Sequence, residues 1–161
     1  MKTKETKKNK EYECSCKDCA RLCERQPGWP TPQEARMAIE AGYADRYMKD
    51  WWDGHEKVYI ICPASKDCGG REAPEIPDSD GFLGGFMAIA SGWTKGRCVL
   101  LKDGLCEIHD SGFKPVQCRE ALGCKAVDPR DGRSQNEDVM KLWDTDEGRE
   151  VVKLWEKALA E

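Results

Sequence analysis

The chain of 161 residues is long enough for one domain and cramped for two, and Leu, Ile, Val and Phe together make up only about 16% of it, below the roughly 20% at which an ordinary aliphatic core becomes doubtful. Twenty-six basic residues against 30 acidic leave a net charge of only −4, which argues against wholesale disorder, and six Trp with ten Cys point to another means of closing the fold. No apolar run approaches the roughly 18–20 residues that cross a bilayer, so no membrane span is expected.

Residues 1–12 carry five Lys against Glu5 and Glu11, so the rest of the chain is more acidic than the whole. This stretch reads as a disordered basic tail, and residues 13–161 read as a single cysteine-rich domain. The tail has no apolar segment of the secretory kind, and a cytoplasmic location is expected. In a reducing cytosol clustered thiols are better read as metal ligands than as structural disulfides. The acidic domain repels a phosphate backbone, so nucleic acid is disfavoured as a partner.

The first cluster is Cys14-x-Cys16-x2-Cys19-x3-Cys23. Pro27, Gly28 and Pro30 mark a turn, and Thr31-Pro32-Gln33-Glu34 has the form of a capping box, predicting a helix from about Pro32 to Ala41 with Gly42 as its stop. Ala35, Ala38 and Ile39 recur at helical spacing. A second short helix is expected over Tyr43 to Trp52. Asp53-Gly54 signals a turn, and Val58 to Cys62 a buried strand. Pro63 to Gly81 reads as loop, which Cys62-x5-Cys68 could tie down. Cys98 to Leu101, Lys102-Asp103-Gly104 and Leu105 to His109 read as a hairpin turning at Asp-Gly. Pro115 begins a helical turn through Leu122. The C-terminal segment, about 134–161, is helical, with Asp144 or Thr145 as cap and Val151, Val152, Leu154, Trp155 and Leu159 as an apolar stripe that packs back on the domain. The fold class is therefore small α+β: loop-rich, metal-stapled, with few short strands, several short helices and a C-terminal helix.

Zinc takes four soft ligands in a tetrahedron, and a Cys-x2-Cys pair such as Cys16-x2-Cys19 presents two sulfurs from one turn. Cys98-x7-Cys106 and Cys118-x5-Cys124 can supply the rest, so the candidate ligands are Cys14, Cys16, Cys19, Cys23, Cys62, Cys68, Cys98, Cys106, Cys118 and Cys124. Ten thiols suffice for two four-sulfur sites, or for one iron–sulfur cluster plus a zinc site. Cys62, Cys68 and Cys124 are equally well read as small buried hydrophobes. Cys106-x2-His109 has a zinc-compatible spacing, although packing on the hairpin is the favoured reading of His109. His55 reads as a solvated turn residue. Arg119 either neutralises the surplus charge of a four-thiolate site or forms an ordinary surface ion pair.

The run Cys16-x2-Cys19-x2-Leu22-Cys23 resembles the C-x2-C-x2-C-C motif of the YkgJ-type cysteine-cluster family, a zinc- or iron-chelating domain. Cys98-Val99-Leu100-Leu101, Gly104-x-Cys106-x-Ile108-His109 and Lys114-Pro115-x2-Cys118-Arg119 resemble that family's second half in order. Leu22 stands where the family has the first cysteine of its pair, Cys14 is an additional thiol, and Lys114 replaces the usual Arg. The resemblance implies chelation of zinc or iron through Cys16, Cys19, Cys23, Cys98, Cys106 and Cys118, and it implies no reaction.

Catalysis finds little support. There is no His-Glu-x2-His, no Gly-x-Ser-x-Gly and no phosphate-binding loop, since Gly81-x2-Gly84-Gly85 lacks the Lys-Ser/Thr that grips phosphate. Cys16-x2-Cys19 has the letters of a thiol–disulfide motif, but further cysteines within a few residues favour chelation. The expected function is a zinc-binding, non-enzymatic accessory or protein-interaction module with a protein partner. An iron–sulfur protein with a redox role is the alternative, and a zinc-ribbon nucleic-acid binder comes last.

Overall fold

The computed structural model describes residues 23–24, 27–53, 57–66, 96–120 and 132–161. Cys14, Cys16, Cys19, Cys68 and Cys124, the basic tail, His55 and the Gly84-Gly85 segment lie outside the described residues.

Helix α1, Pro32–Ala38, begins as its sequence dictates. Thr31 Oγ1 accepts from the Glu34 N–H at 3.1 Å, and Glu34 Oε2 accepts from the Thr31 N–H at 2.8 Å, a complete capping box. The helix widens into one π turn over Ile39–Tyr43, in which Gly42 sits at φ 92°, the left-handed position that a glycine adopts without strain. A 3-10 turn, Ala44–Arg46, follows.

The helix expected over Tyr43 to Trp52 is instead that turn followed by strand β1, Tyr47–Asp53. It pairs antiparallel with β2, Lys57–Pro63, in a register running from Tyr47 opposite Pro63 to Asp53 opposite Lys57. The physical reason is that Tyr47, Met48, Asp50, Trp51 and Trp52 are all buried. Consecutive burial means both faces of the strand are covered, which erases the two-residue period, while Trp and Tyr suit a pleated surface.

A second small sheet consists of β3, Leu101–Lys102, and β4, Leu105–Cys106. Asp103 at φ 51° and Gly104 at φ 78° make the left-handed two-residue turn expected of Asp-Gly. A short helix α2, Val116–Glu120, follows Pro115 as predicted. Helices α3, Gly132–Trp143, and α4, Asp146–Ala160, close the chain, with Thr145 Oγ1 capping α4 through the Gly148 N–H at 3.1 Å. A side chain at Gly148 would overlap the Trp143 carbonyl, so the sharp corner between α3 and α4 requires glycine there.

The aliphatic shortage is met by tryptophan. Trp29, Trp51, Trp52, Trp143 and Trp155 are all buried, around Met48, Ile60, Ile61 and Val151. Three indole N–H groups are satisfied: Trp29 by Asp50 Oδ2 at 2.9 Å, Trp143 by the Pro30 carbonyl at 2.8 Å and Trp155 by the Ala44 carbonyl at 2.9 Å. The aromatic core is thus not confined to the C-terminal helices. The β1–β2 hairpin and α1 contribute to the same cluster, against which α4 lays Val151 and Trp155. The architecture is a mixture of short helices and two small antiparallel sheets. No described helix is long and apolar enough to cross a membrane.

Candidate metal centre

Four cysteines from separate parts of the chain converge beside this core. Cys23 and Cys98 are joined through backbone, the Cys98 N–H donating to the Cys23 carbonyl at 2.8 Å. Cys106 ends β4, and Cys118 lies in α2. The Cys118 thiol donates a hydrogen bond to Cys23, and Cys23, Cys98, Cys106 and Cys118 all lie within electrostatic reach of one another.

Cys98 and Cys106 sit in the same local turn. The N–H of the second residue onward, Leu100 and Ile108 respectively, donates to the cysteine sulfur, joined at Cys98 by the Leu101 N–H. In each turn the carbonyl of the cysteine accepts from the third residue onward, Leu101 N and His109 N, both at 3.1 Å. Amide donors aimed at a sulfur favour its ionised form. The two turns flank the β3–β4 hairpin, so the Asp-Gly turn sets the placement of both sulfurs. Arg46 then clamps the pair, donating to the Val99 carbonyl at 3.1 Å in the first turn and meeting Glu107 Oε2 at 2.7 Å in the second.

Cys118 is placed by a different device. Glu34, buried on α1, accepts from the Val116 N–H at 3.0 Å through the same Oε2 that closes the capping box, and its Oε1 pairs with Arg119. Gln117 Oε1 accepts from the Trp29 N–H at 2.7 Å. The residues on either side of Cys118 are thereby tied to α1 and to the segment before it. A Cβ at Gly28 would overlap Cys118 Sγ, so only glycine lets that segment approach the sulfur.

The electrostatics follow from this packing. Burial pushes the Cys98 thiol up to about 12 and raises Cys106 as well, while the amide donors pull the other way. The hydrogen bond from Cys118 brings Cys23 down to about 7, against the effect of burial and with help from the Lys114 ammonium. Cys118, the donor of that bond and itself buried among thiols, is held well above the ordinary thiol range. Cys23 is therefore the first of the four to ionise.

Lys114 is buried, its Nζ 2.9 Å from His109 Nδ1, and its charge reaches Cys23 and Cys106. Arg119, which the sequence offered as a balancing charge for a four-thiolate site, is paired instead with Glu34. With only 8% of the Glu34 side chain exposed, that pair is not an ordinary surface one. Because Lys114 can only donate, His109 accepts through Nδ1 in this contact.

Tyr47, at the start of β1, is the least expected neighbour. Its hydroxyl is buried without a hydrogen-bond partner among the described residues. Burial, and then the proximity of Cys118, Cys62, Cys98 and Cys106, raises its phenol far above the usual range, so it stays an O–H donor.

Of the ten cysteines singled out in the sequence, the structure brings Cys23, Cys98, Cys106 and Cys118 together and places buried Cys62 on β2, opposite Met48 of β1. Cys23, Cys98, Cys106 and Cys118 are free thiols. Among the described residues no three Cys, His, Asp or Glu side chains already stand at the spacing of a coordination shell. Sequence reasoning missed Tyr47 and the second role of Glu34. Lys114 was visible only as a departure from a motif, and Gly28 only as a turn residue. No family model, curated protein or solved structure matches the chain.

Proposed function

We propose that the protein binds a zinc ion through Cys23, Cys98, Cys106 and Cys118 and serves as a non-enzymatic accessory or protein-interaction module. The observation that carries this reading is the gathering of thiols from three separate parts of the chain: Cys23, the hairpin pair Cys98 and Cys106, and Cys118. The donor set suits the ion: sulfur is the ligand zinc holds in closed tetrahedral sites, and amide N–H groups on two of the sulfurs are the supporting contacts such sites use. A zinc ion bound to four thiolates carries a surplus of negative charge, and buried Lys114 lies where that charge would develop.

Binding exchanges the thiol protons for the metal and requires the sulfurs to draw in from their positions here. A site with four protein ligands keeps no open position for a substrate, which is why the proposal is structural rather than catalytic. The motif resemblance to the cysteine-cluster family points the same way and rests on the residues quoted for it.

The test is elemental analysis and an absorbance spectrum on protein purified anaerobically without added metal. Stoichiometric zinc in a colourless sample is the expected result. A brown sample with iron and sulfide would replace zinc by an iron–sulfur cluster, and a folded chain without metal would remove both.

A further inference from the structure

We infer that Cys23 and Cys118 are a redox pair, closed into a disulfide by a peroxide and reopened by a dithiol. The pair needs no metal, so this goes beyond the zinc reading and does not rest on it. The Cys118 thiol donates a hydrogen bond to Cys23, which puts two sulfurs from distant parts of the chain in contact.

Both partners are held at that contact by bonds of their own. The Cys23 carbonyl accepts from the Cys98 N–H at 2.8 Å. The Cys118 N–H donates to the Pro115 carbonyl at 2.8 Å, and the neighbouring Gln117 side chain accepts from the Trp29 N–H at 2.7 Å. The Gly28 backbone lies against the Cys118 sulfur with no room for a Cβ. A disulfide closes without main-chain rearrangement where the fold has already set its two cysteines side by side. Cys23 and Cys118 are half-buried, within reach of a molecule as small as a peroxide, whereas Cys62 and Cys98 are buried. Cys106 is half-buried too, but it sits in a turn of its own, with its sulfur on the Ile108 N–H.

The step needs a two-electron oxidant, and hydrogen peroxide supplies it. The Cys23 sulfur takes one oxygen from the peroxide, giving the sulfenic acid and one water. The Cys118 sulfur then attacks the Cys23 sulfur. The S–S bond forms, the S–O bond breaks, and the hydroxyl leaves with the Cys118 proton as a second water. Two thiols have lost two electrons and one peroxide has gained them. A dithiol reverses the step by exchange and becomes a disulfide itself. The closed pair fastens the segment before α1 to α2 and withdraws two of the four gathered thiols from any metal, so oxidation and chelation compete for the same sulfurs.

The test treats the full chain, as purified and freed of reductant, with hydrogen peroxide and then caps the remaining thiols with an alkylating agent. Digestion at Lys, Arg and Glu separates Cys98, Cys106 and Cys118 by cuts at Lys102 and Glu107, and mass spectrometry maps the linked peptides. The expected result is a dominant link from Cys23 to Cys118 within one chain, absent before peroxide and lost again in dithiothreitol. In a Cys118→Ala variant Cys23 should instead remain as sulfenic acid, trapped by dimedone at several-fold the wild-type yield. A link from Cys23 to Cys98 or Cys106 in its place, a link that forms only between chains, or an oxidised Cys23 with no link would each overturn the inference. The wild-type map decides even where the variant fails to fold. Metal analysis of the same sample keeps the two readings apart. The link in protein that holds no zinc upholds the inference and removes the zinc reading, whereas zinc-bound protein that yields no link removes the inference alone.

Discussion

Two parts of one continuous interior differ in what stands beside their aliphatic side chains. Around β1, β2, α1 and α4 the core is tryptophan and isoleucine, and three indole N–H groups meet an oxygen acceptor. Around the β3–β4 hairpin and α2 the buried Leu100, Leu101, Ile108 and Phe113 stand beside four thiols and Lys114. The second gathers four thiols with the Lys114 ammonium in reach of two of them. The contrast teaches that a chain poor in aliphatics spreads them over its whole interior and supplements them with tryptophan in one region and cysteine in the other.

Several substitutions break one region and spare the other. The largest effect is expected for Cys118→Ser, which removes one ligand from a site whose total binding is of the order of 10–16 kcal/mol in structural zinc domains. Zinc should be lost during purification and the protein should unfold at a lower denaturant concentration, while the β1–β2 hairpin keeps its near-ultraviolet tryptophan signal.

Trp155→Ala attacks the other region. It should cost about 3–5 kcal/mol in denaturant unfolding, with zinc still present at full stoichiometry in the folded fraction. Loss of zinc at native conditions would show that the regions are not separable.

Glu34→Ala falls between them, because Glu34 belongs to α1 and holds α2. It removes the acceptor of two backbone N–H groups and the partner of Arg119. Since Arg119 is 39% exposed and water screens the pair, the expected loss is about 2 kcal/mol. Unlike Trp155→Ala, it should also weaken zinc binding, measured by chelator competition, because Cys118 loses its anchor.

The mildest effects are those of pH, and they have opposite signs with and without metal. In the metal-free protein Cys98, Cys106 and Cys118 hold their protons more tightly than the ordinary thiol value of 9.0. Their contribution is complete below that value and is lost as the pH climbs, for Cys98 toward about 12. Cys23, lowered to about 7, adds stability above 9.0 and loses it as the pH falls through 7. Metal-free stability should therefore peak near pH 9 and decline above it. With zinc bound the decline should come instead on the acid side, where protons compete for sulfur. Melting temperatures across this range, with and without chelator, check both slopes.

Much of the fold was legible in local signals. The capping box at Thr31 and Glu34, the Asp103-Gly104 turn, Pro115 before α2 and the Thr145 cap each act through a few adjacent residues. Strand β1 was not legible, because Tyr47 to Trp52 are buried on both faces and carry no period. At the site, cysteine spacing singled out ten sulfurs without saying which of them the fold gathers or what stands beside them. Tyr47 and Glu34 reach the cluster through strand register and helix packing, which no sequence interval encodes. The partner of Arg119 was hidden for the same reason: it meets a carboxylate on α1, and only the tertiary fold brings the two together.

The division of labour is tested most directly by amide hydrogen exchange on the purified protein before and after treatment with a zinc chelator. Chelation should strip protection from residues 98–109 and 116–120 while β1, β2 and α4 keep theirs. Unchanged protection at Cys98 to His109, or an equal loss throughout the Trp-lined core, would contradict it.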